Sequence, residues 1–123
     1  MSKHFLLYIS AANDMEAERD LLARSVIAVP ALRALHTSRH EIVAVLTQPD
    51  RPKGRGRKLT APPVKQTAAS FGIPVLQPET VHTDDFHRQI RELAPDLFVV
   101  VAFGQILPPS LLVIPAKGAI NVH

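Results

Sequence analysis

The sequence predicts a single α/β domain built around an open, parallel β-sheet. Short apolar runs rich in Val and Ile alternate along the chain with stretches that have helical signals, which is the pattern of βαβ units. Most of the runs are apolar throughout, as expected for parallel strands buried on both faces. The chain has 123 residues, of which 46% are hydrophobic and 20% charged, so it is too apolar for a disordered protein and long enough for one modest core.

Five segments have the length and the apolar character of buried strands. The predicted strands cover residues 5–9, 42–46, 75–76, 97–102 and 119–122. Because parallel strands need a crossover between them, the segments that separate these runs are expected to hold the helices.

Four helices are predicted between the strands, and they cover residues 14–35, 63–71, 84–94 and 109–113. Thr83 is the predicted N-cap of the third helix, and Pro95 lies just beyond its end. Pro30 lies inside the first helical stretch, where proline removes a backbone donor and clashes with the preceding turn. We therefore expect two helical pieces there, with the second beginning at Ala31.

The composition excludes several classes of protein. The chain has no cysteine, so a disulfide framework, a thiolate nucleophile and a cysteine-based zinc site are excluded. Its longest apolar runs fall far short of the roughly 20 residues that a membrane span needs. The first residues lack the features of a secretory signal. We expect a cytoplasmic protein with no membrane association.

Positive charge is concentrated in one segment that contains no acid. Its bases are Arg51, Lys53, Arg55, Arg57, Lys58 and Lys65. The prolines and glycines among them are expected to prevent regular structure. The glycine spacing matches neither a P-loop nor a dinucleotide-binding fingerprint. The segment is interpreted as a basic loop that contacts phosphate backbones, with a solvated loop that has no partner as the alternative.

Polar residues follow the predicted strands, at the edge where open parallel sheets bind their ligands. Asn121 and His123 are two residues apart at the end of the last strand, so both are expected to point to one side. An amide and an imidazole can stabilise an oxyanion and move a proton, although a polar strand end satisfied by its neighbours is the alternative. After the fourth strand, Gly104 allows backbone to approach a flat heterocycle, with a simple turn as the alternative.

Four other histidines are assigned structural roles. His36 and His40 bracket a helix end, where positive charge is favourable. His82 and His87 flank the start of the third helix without a partner at metal-ligand spacing, which favours surface positions over a metal site.

Several segments together carry a resemblance to a known family. They are residues 28–35, 43–60, 63–66, 72–79, 96–109 and 118–123. The most specific is Thr-Gln-Pro-Asp-Arg-Pro, which begins at Thr47 and leads into the glycine- and arginine-rich run. Over about residues 28–123 the chain resembles the bacterial methionyl-tRNA formyltransferases, which implies a Rossmann-like sheet of the formyltransferase type.

The resemblance also implies an activity and its residues. The activity is formyl transfer from 10-formyltetrahydrofolate to the amino group of methionine on initiator tRNA, with no metal and no stable protein partner. Asn121 and His123 match two members of the family's catalytic Asn/His/Asp set. The segment that lines the folate's pteridine pocket is matched by Phe103, Gly104, Gln105, Ile106 and Leu107. The loop inserted against the tRNA acceptor stem is matched by Arg51, Lys53, Arg55, Arg57 and Lys58.

The resemblance ends at both sides of the matched region. The family continues past His123 into a Ser-Leu-Leu-Pro segment, a catalytic Asp and a C-terminal barrel domain, so residues 28–123 are expected to be a partial catalytic domain with background activity. Residues 5–25 instead resemble the start of a TIR-like effector domain, which suggests a chimeric origin for a divergent segment 1–27. The apolar run 5–9 still suits the first strand of the sheet.

Two other classes of function remain open at this point. One is a non-catalytic RNA-binding module in which the basic loop 51–58 carries the function, and folate binding distinguishes it from the enzyme. The other is a signalling or interaction module in residues 1–25, which removal of that segment tests.

Overall fold

The computed structural model describes residues 4–10, 19–53, 58–60, 63–101 and 107–122. Their elements are, in chain order, β1 (Phe5–Ser10), α1 (Arg19–His36), β2 (Glu41–Thr47), β3 (Arg51–Lys53), β4 (Lys58–Thr60), α2 (Pro63–Ser70), β5 (Val75–Leu76), α3 (Asp84–Leu93), β6 (Leu97–Val101), α4 (Pro109–Leu112) and β7 (Ala119–Val122).

Five of these strands form the central sheet in the order β5-β2-β1-β6-β7, and every neighbouring pair is parallel. The predicted open parallel sheet is therefore confirmed. β1 lies between β2 and β6, so the run at the start of the chain does serve as the first strand. The carboxyl ends of all five strands lie at one edge, which we call the ligand edge.

Helices cover both faces of the sheet, because successive side chains of each strand point to opposite faces. In β1, Leu6 and Tyr8 face one layer, and Leu7 and Ile9 face the other. The first layer includes buried residues of α1 and α2, namely Ala28, Leu32, Val64 and Ala68. The second includes buried residues of α3 and α4, namely Phe86, Ile90 and Leu111. The result is three layers with a core on each side of the sheet.

The first helix differs from the prediction. α1 is one helix from Arg19 to His36 with Pro30 inside it, so the expectation of two helical pieces was wrong. An internal proline costs a helix about 3 kcal/mol. Packing offsets that cost, because Ala28 and Leu32 on either side of Pro30 are buried against the sheet.

The third helix has the predicted cap. The Thr83 hydroxyl accepts a hydrogen bond from the Phe86 amide at 3.2 Å. The helix ends at Ala94, whose φ of 50° is in the left-handed region and whose N–H donates to the Arg91 carbonyl. The signals used for the prediction, Thr83 and Pro95, are local in sequence, which is why the helix was predicted within one residue of its observed end at Leu93.

The basic segment contains regular structure that the prediction missed. β3 and β4 pair as an antiparallel hairpin, with Arg51 opposite Thr60, Pro52 opposite Leu59 and Lys53 opposite Lys58. Both strands are edge strands of a two-stranded sheet, where proline is tolerated. The prediction that proline and glycine prevent a regular element here was wrong.

Among the helices of the described residues, none combines the length and the apolar character needed to cross a bilayer.

A buried hydroxyl joins the central strand to the first helix, and its removal is the first test of the packing. Tyr8 is fully buried and donates a hydrogen bond to the Ala28 carbonyl, and burial raises the pKa of its hydroxyl well above the usual range. We expect Tyr8→Phe to lower the free energy of unfolding by about 1 kcal/mol, as measured by urea denaturation followed by circular dichroism.

Thr37→Val is the matched control, because the exposed Thr37 hydroxyl also donates to a carbonyl of α1, that of Ala34. Its free energy of unfolding should change by no more than about 0.5 kcal/mol. Equal losses in the two variants would contradict a special contribution from the buried bond.

Candidate functional site

Two buried hydroxyls lie at the ligand edge, at the ends of the two central strands. Ser10 ends β1 and Thr47 ends β2, and the two residues are register partners. Both are buried, with 8% and 3% of their surface exposed. Hydroxyls can donate and accept hydrogen bonds, so Ser10 and Thr47 are polar groups that could contact a ligand at this edge. Thr47 begins the segment 47–60, which the sequence places after the second strand as a candidate at this edge. Ser10 was missed, although a polar residue at the end of an apolar strand run was the available signal.

Asn121 lies near the carboxyl end of β7, opposite Val100 of β6, and is exposed. The sheet therefore places this amide at the ligand edge, as the prediction required. His123 lies outside the described residues, so the convergence of Asn121 with His123 stays a prediction.

Of the segment matched to the pteridine pocket, only Leu107 is among the described residues; Phe103, Gly104, Gln105 and Ile106 lie outside them. Leu107 is partly buried and packs against the core cluster that includes Phe98 and Leu111. This contact fixes Leu107, two residues before α4, to the core. The role of the segment in binding a pteridine stays a prediction.

The β3–β4 hairpin begins next to the ligand edge, because β3 follows the end of β2 after three residues. Three of the five bases assigned to tRNA contacts, Arg51, Lys53 and Lys58, have described backbone on this hairpin. Lys53 and Lys58 are direct register partners, so their Cα atoms lie across from each other on the two strands. Arg55 and Arg57 lie outside the described residues.

A polar network lies at the base of the hairpin. The Lys65 ammonium is 3.1 Å and 3.0 Å from the two carboxylate oxygens of Asp50. The Gln77 amide nitrogen donates to Asp50 Oδ1 at 2.7 Å and to the Gln48 carbonyl at 3.0 Å. The side chains of Asp50 and Lys65 are each about one-third exposed, at 31% and 32%. We call Asp50, Lys65 and Gln77 the base network.

The base network changes the assignment of Lys65, which the sequence analysis counted among the bases of the loop. Its ammonium is paired with Asp50, whereas the backbones of Arg51, Lys53 and Lys58 lie on the hairpin strands. The sequence held a signal for this network, since Asp50 is the only acid between Glu41 and Glu79.

His87 is buried, with 7% of its surface exposed, so the prediction of a surface position for it was wrong. One ring nitrogen lies 2.8 Å from the Val81 carbonyl, and the other lies 3.5 Å from the Ser110 hydroxyl. The ring therefore contacts both the loop before α3, through Val81, and α4, through Ser110. His82 is exposed, as predicted.

Two other histidines lie at the opposite edge of the sheet. His36 stacks on Phe71 with ring centroids 3.9 Å apart, and His40 stacks on His4 at 5.1 Å. His36, His40 and Phe71 line a groove of about 580 Å³ beside the start of β2, away from the ligand edge. The described part of the chain contains no group of three or more His, Asp or Glu side chains that could hold a metal ion.

Comparison with known proteins gives a family match and close relatives. A family profile described as "Formyl transferase" matches residues 23–123. The chain is 62% identical over 96 residues to the methionyl-tRNA formyltransferase of Geobacter sulfurreducens and 60% identical over 96 residues to that of Geobacter metallireducens. Each match covers 78% of this chain, and the chain spans 30% and 31% of the two relatives.

Solved structures agree on the fold. The crystal structure of glycinamide ribonucleotide transformylase 1 from Geobacillus kaustophilus matches with a TM-score of 0.57 at 15% sequence identity, covering 99% of this chain and 58% of that chain. At this identity the likeness concerns the fold alone, which is the formyltransferase type of Rossmann-like sheet that the resemblance implied.

The base network is expected to make the stability of the folded chain depend on pH. The hydrogen bond from Gln77, followed by that from Lys65, holds the pKa of Asp50 below its ordinary value of 3.8. Because the pKa of Asp50 is lower in the folded chain, the ionised carboxylate stabilises the folded state fully at pH values above the ordinary pKa. This stabilisation is lost as the pH falls through the lowered pKa. Since Gln77 is the largest cause, Gln77→Ala should raise the pKa of Asp50 toward 3.8, as measured by NMR titration of its carboxyl carbon.

Gln89→Ala is the control, because Gln89 is an exposed glutamine on α3, outside the base network. It should leave the titration of Asp50 unchanged. If Gln77→Ala also leaves it unchanged, the amide of Gln77 does not stabilise the carboxylate.

Proposed function

The chain belongs to the formyl transferase family, and on that premise we propose that it is part of an enzyme that formylates the methionine of initiator tRNA. The formyl donor in this proposal is 10-formyltetrahydrofolate, and the reaction takes place in the cytoplasm. The observation that carries the proposal is the identity of 60–62% to two methionyl-tRNA formyltransferases over 96 residues. Since the chain spans about 30% of those relatives, the activity of the whole enzyme is included in what is proposed.

The chemistry needs a nucleophile, an oxyanion partner and a proton carrier. The methionine amine attacks the formyl carbon, the formyl oxygen becomes negatively charged, and the folate nitrogen leaves as it takes up a proton. In our proposal the Asn121 amide donates to the developing oxyanion, and His123 carries the proton. The position of Asn121 at the ligand edge supports this assignment, because the ligands of open parallel sheets bind there.

The donor is proposed to lie along the chain after β6. Residues 103–106 would line the pteridine, and Leu107 would anchor this segment through its packing on the core. The buried hydroxyls of Ser10 and Thr47 provide polar groups at the same edge.

The acceptor is proposed to contact the hairpin. Arg51, Lys53 and Lys58 are on its strands, and no acid lies between residues 51 and 65 to weaken their attraction for phosphate. This feature favours tRNA over a small acceptor. The position of β1 favours the enzyme over a signalling module in residues 1–25, because β1 belongs to the same sheet as the matched region.

The first test concerns the hairpin bases. We expect Arg55→Ala, Arg57→Ala and Lys58→Ala together to reduce the dependence of initiator tRNA binding on salt. Each lost phosphate contact should lower the slope of log affinity against log salt by about 0.7–0.9. The measurement is fluorescence anisotropy with labelled initiator tRNA over a series of KCl concentrations.

A control with the same loss of charge removes three exposed bases elsewhere, with Arg33→Ala, Arg91→Ala and Lys117→Ala. A pure net-charge effect predicts the same change in slope for both triple variants. An unchanged slope in the hairpin variant would remove the hairpin from the proposal.

The second test concerns catalysis. We expect this chain alone to form formylmethionyl-tRNA at background rate, and a hybrid that adds the remainder of the Geobacter sulfurreducens relative to be active. In the hybrid, Asn121→Ala should lower kcat by about 100- to 1,000-fold while binding of 5-formyltetrahydrofolate, measured by calorimetry, changes little.

The neighbouring Ile120→Ala serves as the control, because Ile120 is 52% exposed on the same strand. It should retain the turnover of the hybrid. Full turnover by the Asn121→Ala hybrid would show that the amide is not needed for the transition state.

A further inference from the structure

The base network joins the chain that enters the hairpin to the chain that leaves it. Asp50 directly precedes β3, and Lys65 follows β4 in the first turn of α2. Their ion pair, at 3.0 Å, therefore closes the hairpin at its base. A hairpin of two three-residue strands is not stable by itself in water, so its direction depends on what holds its base.

Gln77 connects the same carboxylate to the sheet. Gln48 comes directly after β2, and Gln77 directly after β5, and these strands are neighbours in the sheet. The Gln77 amide nitrogen donates hydrogen bonds to the Gln48 carbonyl and to Asp50 Oδ1. The Asp50 carboxylate is therefore connected to the ends of both β2 and β5. Hydrogen bonds to an ionised carboxylate are stronger and more directional than neutral ones.

We propose that Asp50, Lys65 and Gln77 are positioning residues that hold the β3–β4 hairpin in a fixed direction over the ligand edge. In this arrangement the hairpin bases are presented to the acceptor together, and Lys65 makes no phosphate contact of its own. The proposal rests on the proposed function for the identity of the acceptor, and on the geometry of the base network for the positioning.

Whether neutralising Asp50 weakens or strengthens tRNA binding distinguishes a positioning role from a purely electrostatic one. Asp50 is an acid beside a basic hairpin, so its neutralisation should strengthen tRNA binding if charge alone matters. If the carboxylate holds the hairpin, the same substitution should weaken binding. Glu79→Gln removes the same charge from an exposed acid two residues after Gln77 and measures the electrostatic effect alone.

The binding experiment compares Asp50→Asn with Glu79→Gln at one salt concentration, using labelled initiator tRNA and this chain. We expect Asp50→Asn to weaken binding by about three- to tenfold, since the pair is partly exposed and the lost bonds are charge-assisted. Glu79→Gln should bind as tightly as the unsubstituted chain or slightly more tightly. Binding by Asp50→Asn that equals or exceeds that of Glu79→Gln overturns the proposal.

Hydrogen–deuterium exchange tests the positioning without RNA. In Asp50→Asn the peptide spanning residues 48–62 should exchange faster, while the peptide of α3 keeps its rate. An unchanged hairpin rate, or faster exchange in α3 as well, contradicts a local positioning role. If the hairpin exchange changes as expected but the unsubstituted chain binds no tRNA, the proposed acceptor is wrong and the positioning role stands.

Two variants of Lys65 test its ion pair with Asp50. Lys65→Arg keeps a cation and should retain the hairpin exchange rate, whereas Lys65→Met should reproduce the change seen with Asp50→Asn. If Lys65 instead contacted phosphate, Lys65→Met would lower the salt slope by about 0.7–0.9 and leave the hairpin exchange unchanged.

Discussion

Burial of β1 on both faces and along both edges is the constraint on which the rest of the fold depends. β2 and β6 pair with its two edges in parallel, and helices cover its two faces. At its amino end, Asp96 accepts a hydrogen bond from the Phe5 amide and donates its own amide to the Phe5 carbonyl, at 2.8 Å and 2.7 Å. The Asp96 carbonyl accepts in turn from Lys117, which aligns the chain that enters β7. The backbone N–H and C=O groups of a buried strand must be paired, so the register of β1 with its neighbours is tightly specified.

A sheet held in this way determines where function can be placed. The parallel direction collects all the strand ends at one edge, where Ser10, Thr47 and Asn121 lie. The glycinamide ribonucleotide transformylase 1 of Geobacillus kaustophilus shares this fold at 15% sequence identity, and a shared fold does not by itself specify a substrate. The choice of acceptor is proposed to depend on the hairpin, whose bases are placed through Asp50 and Lys65. A rigid sheet with a functional segment at its edge is a common arrangement, because loops vary more freely than the core.

The sequence alone determined the parts of the fold that depend on local patterns. Apolar runs predicted the five strands of the sheet, because strands buried on both faces are mostly apolar. β7 departs from this pattern, since it contains the exposed Asn121. Thr83 predicted the start of α3, since an N-cap bond spans only three residues. Among the site residues, the placement of Asn121 at the ligand edge followed from strand direction. The functional roles assigned to Asn121, His123, residues 103–107 and the hairpin bases all remain predictions.

Only the tertiary structure decided the features that depend on contacts between distant segments. Pro30 lies inside one helix because burial of its neighbours outweighs the local cost, and His87 is enclosed by elements that a helical pattern does not place. Asp50 lies 15 residues from Lys65 and 27 from Gln77, so no local pattern brings these side chains together. The sequence supplies the carboxylate, the ammonium and the amide, but the distances between them are set by the packing of α2 and β5 against β2. That packing is a property of the folded chain.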